Sequence, residues 1–130
     1  MTVERVSSGA PWEAVVGYSR AVKAGGFVFV TGCTSIDGGE VVHEGDHYAQ
    51  TRQALANVAS ALQSLGATTS DVVRTRIFVT DITRWAEHGR AHAEVFGDVL
   101  PATSMVEVSA LIDPRLLVEV EAQAWVGEQA

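Results

Sequence analysis

Pro101–Trp125, PATSMVEVSALIDPRLLVEVEAQAW, is the stretch on which the fold turns. Apolar and polar residues alternate through it, which predicts two strands joined by a short turn. In the second strand Val118, Val120, Ala122 and Ala124 point one way. Leu117, Glu119, Glu121, Gln123 and Trp125 point the other, because strand side chains alternate with period two. A face that carries carboxylates at its centre beside Leu and Trp is not a plain solvent face. It predicts a sheet whose second side meets another surface or lines a site.

Upstream, Asp71 to Thr80 alternates in the same way. Val73, Thr75, Ile77 and Val79 share one face, and Arg74, Arg76, Phe78 and Thr80 the other. Between these strands a helix is expected from about Thr83 to Val99, capped by Asp81 or Thr83 and stopped by Pro101. Trp85, His92, Phe96 and Val99 would lie along one side of it. A longer helix is expected from an Asp46 N-cap to Leu65, ended by Gly66. Its apolar stripe is Tyr48, Leu55, Val58, Ala59, Leu62 and Leu65. Before it come a strand over Tyr18 to Ala24, the turn Gly25-Gly26, a strand over Phe27 to Thr31, the turn Asp37-Gly38-Gly39 and a brief edge strand at Val41-Val42. The residues through Pro11 read as an exposed arm.

Two helices covering one face of this sheet make a two-layer α+β fold. The other face is expected to carry Arg74, Arg76, Phe78, Met105, Glu107, Glu119, Glu121 and Gln123. Self-association, with opposite charges pairing across subunits, accounts for such a mixed face. A one-sided antiparallel sheet open to solvent is the alternative.

At 130 residues and 47% hydrophobic, the chain is expected to be one domain, residues 1–130, with a real core. A net charge of −7, with nine scattered basic residues, argues against nucleic acid as a partner. No apolar run approaches the roughly 20 residues of a membrane span. No signal-like N-terminus is evident, and Cys33 has no second cysteine to pair with. A cytoplasmic location is therefore expected.

Other constellations read as structural. His43-Glu44-Gly45-Asp46-His47 matches the HExxH pattern, but Gly45 and the Asp46 cap put it in a loop entering a helix. His88 and His92 have metal-compatible spacing, yet His92 shares the apolar side with Trp85 and Phe96, which favours a core role. Cys33 ends a strand with no neighbouring base in sequence, so a buried structural thiol is the commoner case over a nucleophile.

Several pieces, in order, resemble one family. Tyr18-Ser19-Arg20-Ala21-Val22 with Gly26 to Gly32 is similar to the opening hairpin of the RidA/YjgF (reactive intermediate deaminase) family. Gln50 to Val58 resembles its first helix, and Asp71 to Asp81 its central strand. Pro101 to Val108 and Val118 to Ala122 resemble its closing signature. The resemblance implies a chorismate mutase-like α+β fold and a homotrimer with small-molecule clefts between subunits. It implies hydrolysis of enamines and imines to ketoacids and ammonia, with no metal or organic cofactor. By the resemblance Glu121 would orient the attacking water, Tyr18 would line the cleft, and the region of Gly32 and Cys33 would offer backbone groups to the ligand. The family's carboxylate-holding arginine corresponds to Thr103, and its next pocket position to Met105. A hydroxyl cannot supply the charge or the fork of a guanidinium. Arg76 is the candidate replacement, although an intersubunit ion pair with Glu107, Glu119 or Glu121 is the simpler expectation for it. Thus the expected function is hydrolysis of an imine, an enamine or a similar reactive metabolite other than 2-iminopropanoate. The alternative is a noncatalytic trimer that binds a small metabolite or a protein partner.

Overall fold

The computed structural model describes residues 2–127. Six strands form one mixed sheet in the order β1-β2-β3-β8-β6-β7. They are β1 (Val3–Val6), β2 (Ala21–Ala24), β3 (Phe27–Cys33), β6 (Val72–Val79), β7 (Ala102–Glu107) and β8 (Val118–Trp125). The small ribbon of β4 (Ile36–Asp37) and β5 (Glu40–Val41) stands apart. A short helix, α1 (Pro11–Val16), precedes β2, while α2 (His47–Gln63) and α3 (Trp85–Phe96) cover one face of the sheet.

Both covering helices begin and end for local reasons. The Asp46 carboxylate accepts from Ala49 N–H at 2.9 Å and caps α2. Beyond its last turn Gly66 adopts φ +79°, where a Cβ would be strained. The Asp81 carboxylate instead caps a 3₁₀ turn, Ile82–Arg84, which delays α3 to Trp85. Leu55, Val58 and Leu62 of α2 and Phe96 of α3 then close the core over Val28, Val30, Ile77, Val79, Val118 and Val120. Among the described residues no helix is long and apolar enough to cross a membrane.

The α+β architecture and the alternation of β8 are as expected, with Val118, Val120, Ala122 and Ala124 all buried. Four details differ. Pro101–Trp125 is not a hairpin: residues 108–117 separate β7 from β8, and β6 lies between them, parallel to β7 and antiparallel to β8. The inward residues of β6 are Val72, Thr75, Ile77 and Val79, because a register shift between Val72 and Arg74 leaves Val73 exposed. Val3–Val6 is not a free arm but pairs with β2. On α3 it is His88 that is fully buried, while Trp85 is exposed.

That buried histidine belongs to a polar network joining the helices. Thr51 Oγ1 donates to His47 O at 2.8 Å, so it accepts from His88 Nδ1 at 2.7 Å. His88 Nε2 is then an acceptor, and His47 Nδ1 donates to it at 3.0 Å. Burial, with His47 alongside, pushes His88 down to about 4. The HExxH match is therefore split. His43 sits in a loop at φ 61°, and His47 turns inward to His88.

Candidate active site

The sheet loosens at one place on β3. Val30 opposes Ala122 and Cys33 opposes Val120, so Thr31 and Gly32 together face Glu121. This bulge bends β3 locally, while Cys33 at its end still pairs with Val120 of β8. The side chain of Glu119 reaches the bulge, lying so close to Gly32 that a Cβ there would collide with its carboxylate. Glycine at 32 is what allows the approach. Glu119 is half-buried, and its carboxyl is pushed up by burial and by the nearby Glu121, with Arg20 opposing. Among the described residues the carboxylate has no hydrogen-bond partner.

Glu119 lies at the edge of an open cleft of about 1020 Å³, which Tyr18, Arg20, Gly32 and Cys33 also line. The Arg20 guanidinium donates through Nη1 to Gly32 O at 2.8 Å and lies 3.7 Å from Cys33 Sγ. Its Nε lies 3.9 Å from Glu13 Oε2. Glu13 is itself buried on α1, where Ser8 N–H donates to it at 3.1 Å and Ser8 Oγ at 2.5 Å. Burial raises the Glu13 carboxyl, but the serine hydrogen bonds and Arg20 outweigh it and leave it below its ordinary value. The Cys33 thiol is pushed up by burial despite Arg20, which suits a packed thiol better than a thiolate.

Three of the expected site residues, Tyr18, Gly32 and Cys33, thus share one cleft. The others do not join them within the chain. Arg76 and Glu121 oppose each other across β6 and β8 and form an ion pair at 3.2 Å on the open sheet face. Glu121 is one of the partners expected for Arg76, reached inside the chain and not across a subunit boundary. Met105 and Glu107 are not on that face. They register with Ile77 and Val79, on the helix side, and Ser104 and Val106 take the open side. Met105 packs against the core, and Glu107 accepts from Ile82 N–H at 3.0 Å.

Thr103 is engaged in structure. Its hydroxyl donates to Pro101 O at 3.0 Å, so its oxygen accepts from the buried Thr75 hydroxyl at 2.8 Å. Thr75 in turn accepts from His92 Nε2 at 2.9 Å. A relay of three side chains runs from α3 through β6 to the edge strand.

Among the cleft residues not singled out from the sequence as site candidates are Glu119, and Arg20 as a cleft cation. The signal for Glu119 was present, since it alternates onto the same face as Glu121. What sets it apart is the close approach of its side chain to Gly32 at the bulge, which alternation does not reveal.

A sequence model described as Endoribonuclease L-PSP matches residues 8–126. The chain belongs to the RidA/YjgF family. A YjgF/YER057c/UK114 family member from Mycobacterium tuberculosis is 54% identical, superposes with a TM-score of 0.88, and is matched over 96% of this chain and 100% of its own. A Streptomyces coelicolor protein is 41% identical over 125 residues, 96% of this chain and 93% of that protein. A RutC family protein of Pyrococcus horikoshii is 40% identical over 111 residues, 83% of this chain and 86% of that protein. In this RidA/YjgF chain Glu119, Gly32 and Tyr18 line one cleft at the β3 bulge end of the sheet. The signature stretch around Thr103 lies on β7, the edge strand.

Proposed function

We propose that this RidA/YjgF chain hydrolyses a reactive imine or enamine in the Tyr18–Glu119 cleft, and that Glu119, in place of Glu121, is its water-orienting carboxylate. The observation that carries this is the half-buried Glu119 carboxylate beside Gly32, without a hydrogen-bond partner among the described residues. An imine carbon is already electrophilic. On the protonated imine, Glu119 accepts a proton as water adds to carbon, giving a neutral carbinolamine. Glu119 then passes that proton to nitrogen and takes up the carbinol hydroxyl proton as the C–N bond breaks, releasing ammonia and leaving the carbonyl product. A raised carboxyl pKa suits a group that must take and return a proton near neutrality. We further propose a cytoplasmic homotrimer, in which the open sheet face with Phe27, Phe29 and Trp125 is covered by neighbouring copies. Each cleft would then be completed by Thr103 and Met105 on the β7 edge of the next subunit.

The test is ammonia release from imines generated in situ. Glu119→Gln is expected to lower turnover by about 10²-fold or more, whereas Glu121→Gln, which loses only the Arg76 pair, stays within a few-fold. Equal activity in Glu119→Gln and the unaltered protein would overturn the assignment. The second reading, a noncatalytic binder, is favoured by the hydrogen bonds that engage Thr103. Ligand binding without turnover across a broad imine panel would establish it.

A further inference from the structure

We infer that the cleft selects ligands with an anionic head and a bulky apolar tail, Arg20 holding the head and the outward face of α1 the tail. This rests on the cleft proposed above as the reaction site and adds what orients the ligand there.

Arg20 is placed as an anchor should be. Its side chain is only 16% exposed, yet it lines the cleft beside Glu119. Nη1 is held by Gly32 O and Nε lies near Ser8 Oγ and Glu13, which fixes the plane of the guanidinium. Among the described residues Nη2 has no hydrogen-bond partner. A fixed planar cation with free N–H groups and little water around it binds a carboxylate far better than a mobile surface arginine. Arg76, by contrast, is half-exposed and already paired with Glu121.

The tail site is equally specific. Trp12 and Val16 are four residues apart on α1 and so share one face. Both line the cleft, as does Ile112 from the segment between β7 and β8. All three are exposed, at 49%, 70% and 65%. Their exposure is not a product of loose structure. Pro11 starts α1, Gly17 closes it with left-handed geometry, and the buried Glu13 ties it to Ser8 and Arg20. The same Glu13–Arg20 contact that orients the cation therefore sets the position of the apolar wall.

Calorimetric titration with stable 2-oxo acids tests this without requiring turnover. Pyruvate supplies the head alone, 4-methyl-2-oxopentanoate adds the tail, and 4-methylpentan-2-one carries the tail without the head. The branched acid is expected to bind about tenfold or more tightly than pyruvate, from three further carbons on a half-open wall. Trp12→Ala should erase most of that difference. Arg20→Gln should weaken both acids about tenfold or more and leave the ketone unchanged. Glu13→Gln keeps the cation, its bond to Gly32 O and an acceptor for Ser8, and should weaken acid binding by only a few-fold. Equal affinity for the two acids, or no acid binding, would overturn the inference. So would a Glu13→Gln variant as defective as Arg20→Gln, because Arg20 would then be acting only as a clamp on α1. Loss of turnover in Glu119→Gln with acid binding intact would separate the catalytic proposal from this one.

Discussion

Lowering the pH is expected to loosen the contact between α2 and α3 through His88. The imidazole is fully buried, donates to Thr51 and accepts from His47. Protonation would place an N–H against the His47 N–H with no acceptor for either. Arg84 also disfavours the charge, while Glu87 and Asp81 partly offset it. In the unfolded chain the group titrates near 6.5, in the folded one near 4. Stability from this site is therefore complete above pH 6.5 and lost as pH falls toward 4, because the unfolded chain takes up a proton that the native state refuses. The full loss is roughly 3 kcal/mol, of which about 1.4 kcal/mol has gone by pH 5.5. Urea unfolding at pH 7.5, 6.5, 5.5 and 4.5, at fixed ionic strength and protein concentration, measures it. His88→Asn should be less stable at pH 7.5 by about 1–3 kcal/mol but show a much flatter dependence down to pH 4.5. His92, also pushed down by burial, supplies part of the slope that remains. If the variant and the unaltered protein lose stability in parallel between pH 6.5 and 4.5, the assignment to His88 is wrong.

Gly32→Ala should drive a methyl group into Glu119, costing about 1–3 kcal/mol in denaturant titration and suppressing any ammonia release. Gln50→Leu should cost about 2–4 kcal/mol by the same assay, since the buried Gln50 amide satisfies Arg115 O at 3.0 Å and Leu117 N–H at 2.8 Å. Asp46→Ala removes the α2 cap and should cost about 1 kcal/mol, seen as a lowered urea midpoint. Phe29→Asp on the open sheet face should convert the proposed trimer to monomer in light scattering, and a monomeric mass for the unaltered protein at micromolar concentration would refute the trimer.

Where one physical constraint acted alone, the sequence was enough. β8 is buried on one side along its whole length, so alternation identified every inward residue. The Asp46 cap and Gly66 bracketed α2 within two residues. β7 was harder, because Ala102-Thr103-Ser104-Met105-Val106-Glu107 carries little apolar contrast. Its phase comes from its register with β6, and Met105 and Glu107 were assigned to the wrong side. The intervening β6 is likewise a matter of topology, which neighbouring strands in sequence do not report. On α3 the periodicity pointed to Trp85 and His92, while the buried position went to His88, where Thr51 and His47 satisfy both ring nitrogens. Glu119 and Glu121 differ by one strand repeat of about 7 Å. Only the bulge at Thr31-Gly32 tells the cleft carboxylate from the ion-paired one.

The relay from His92 through Thr75 to Thr103 constrains how this protein can change. Thr75 is fully buried and gives its hydroxyl proton to Thr103. Arginine at 103 offers no oxygen to receive it, so the substitution would orphan a buried donor while adding a charge at the sheet edge. Val or Ala at 75 would remove that donor in advance, although His92 would then need another acceptor. Positions 75, 92 and 103 are thus expected to vary as a set, and the effects of exchanging them singly should not add. A chain that holds this relay is not expected to accept arginine at 103 in one neutral step.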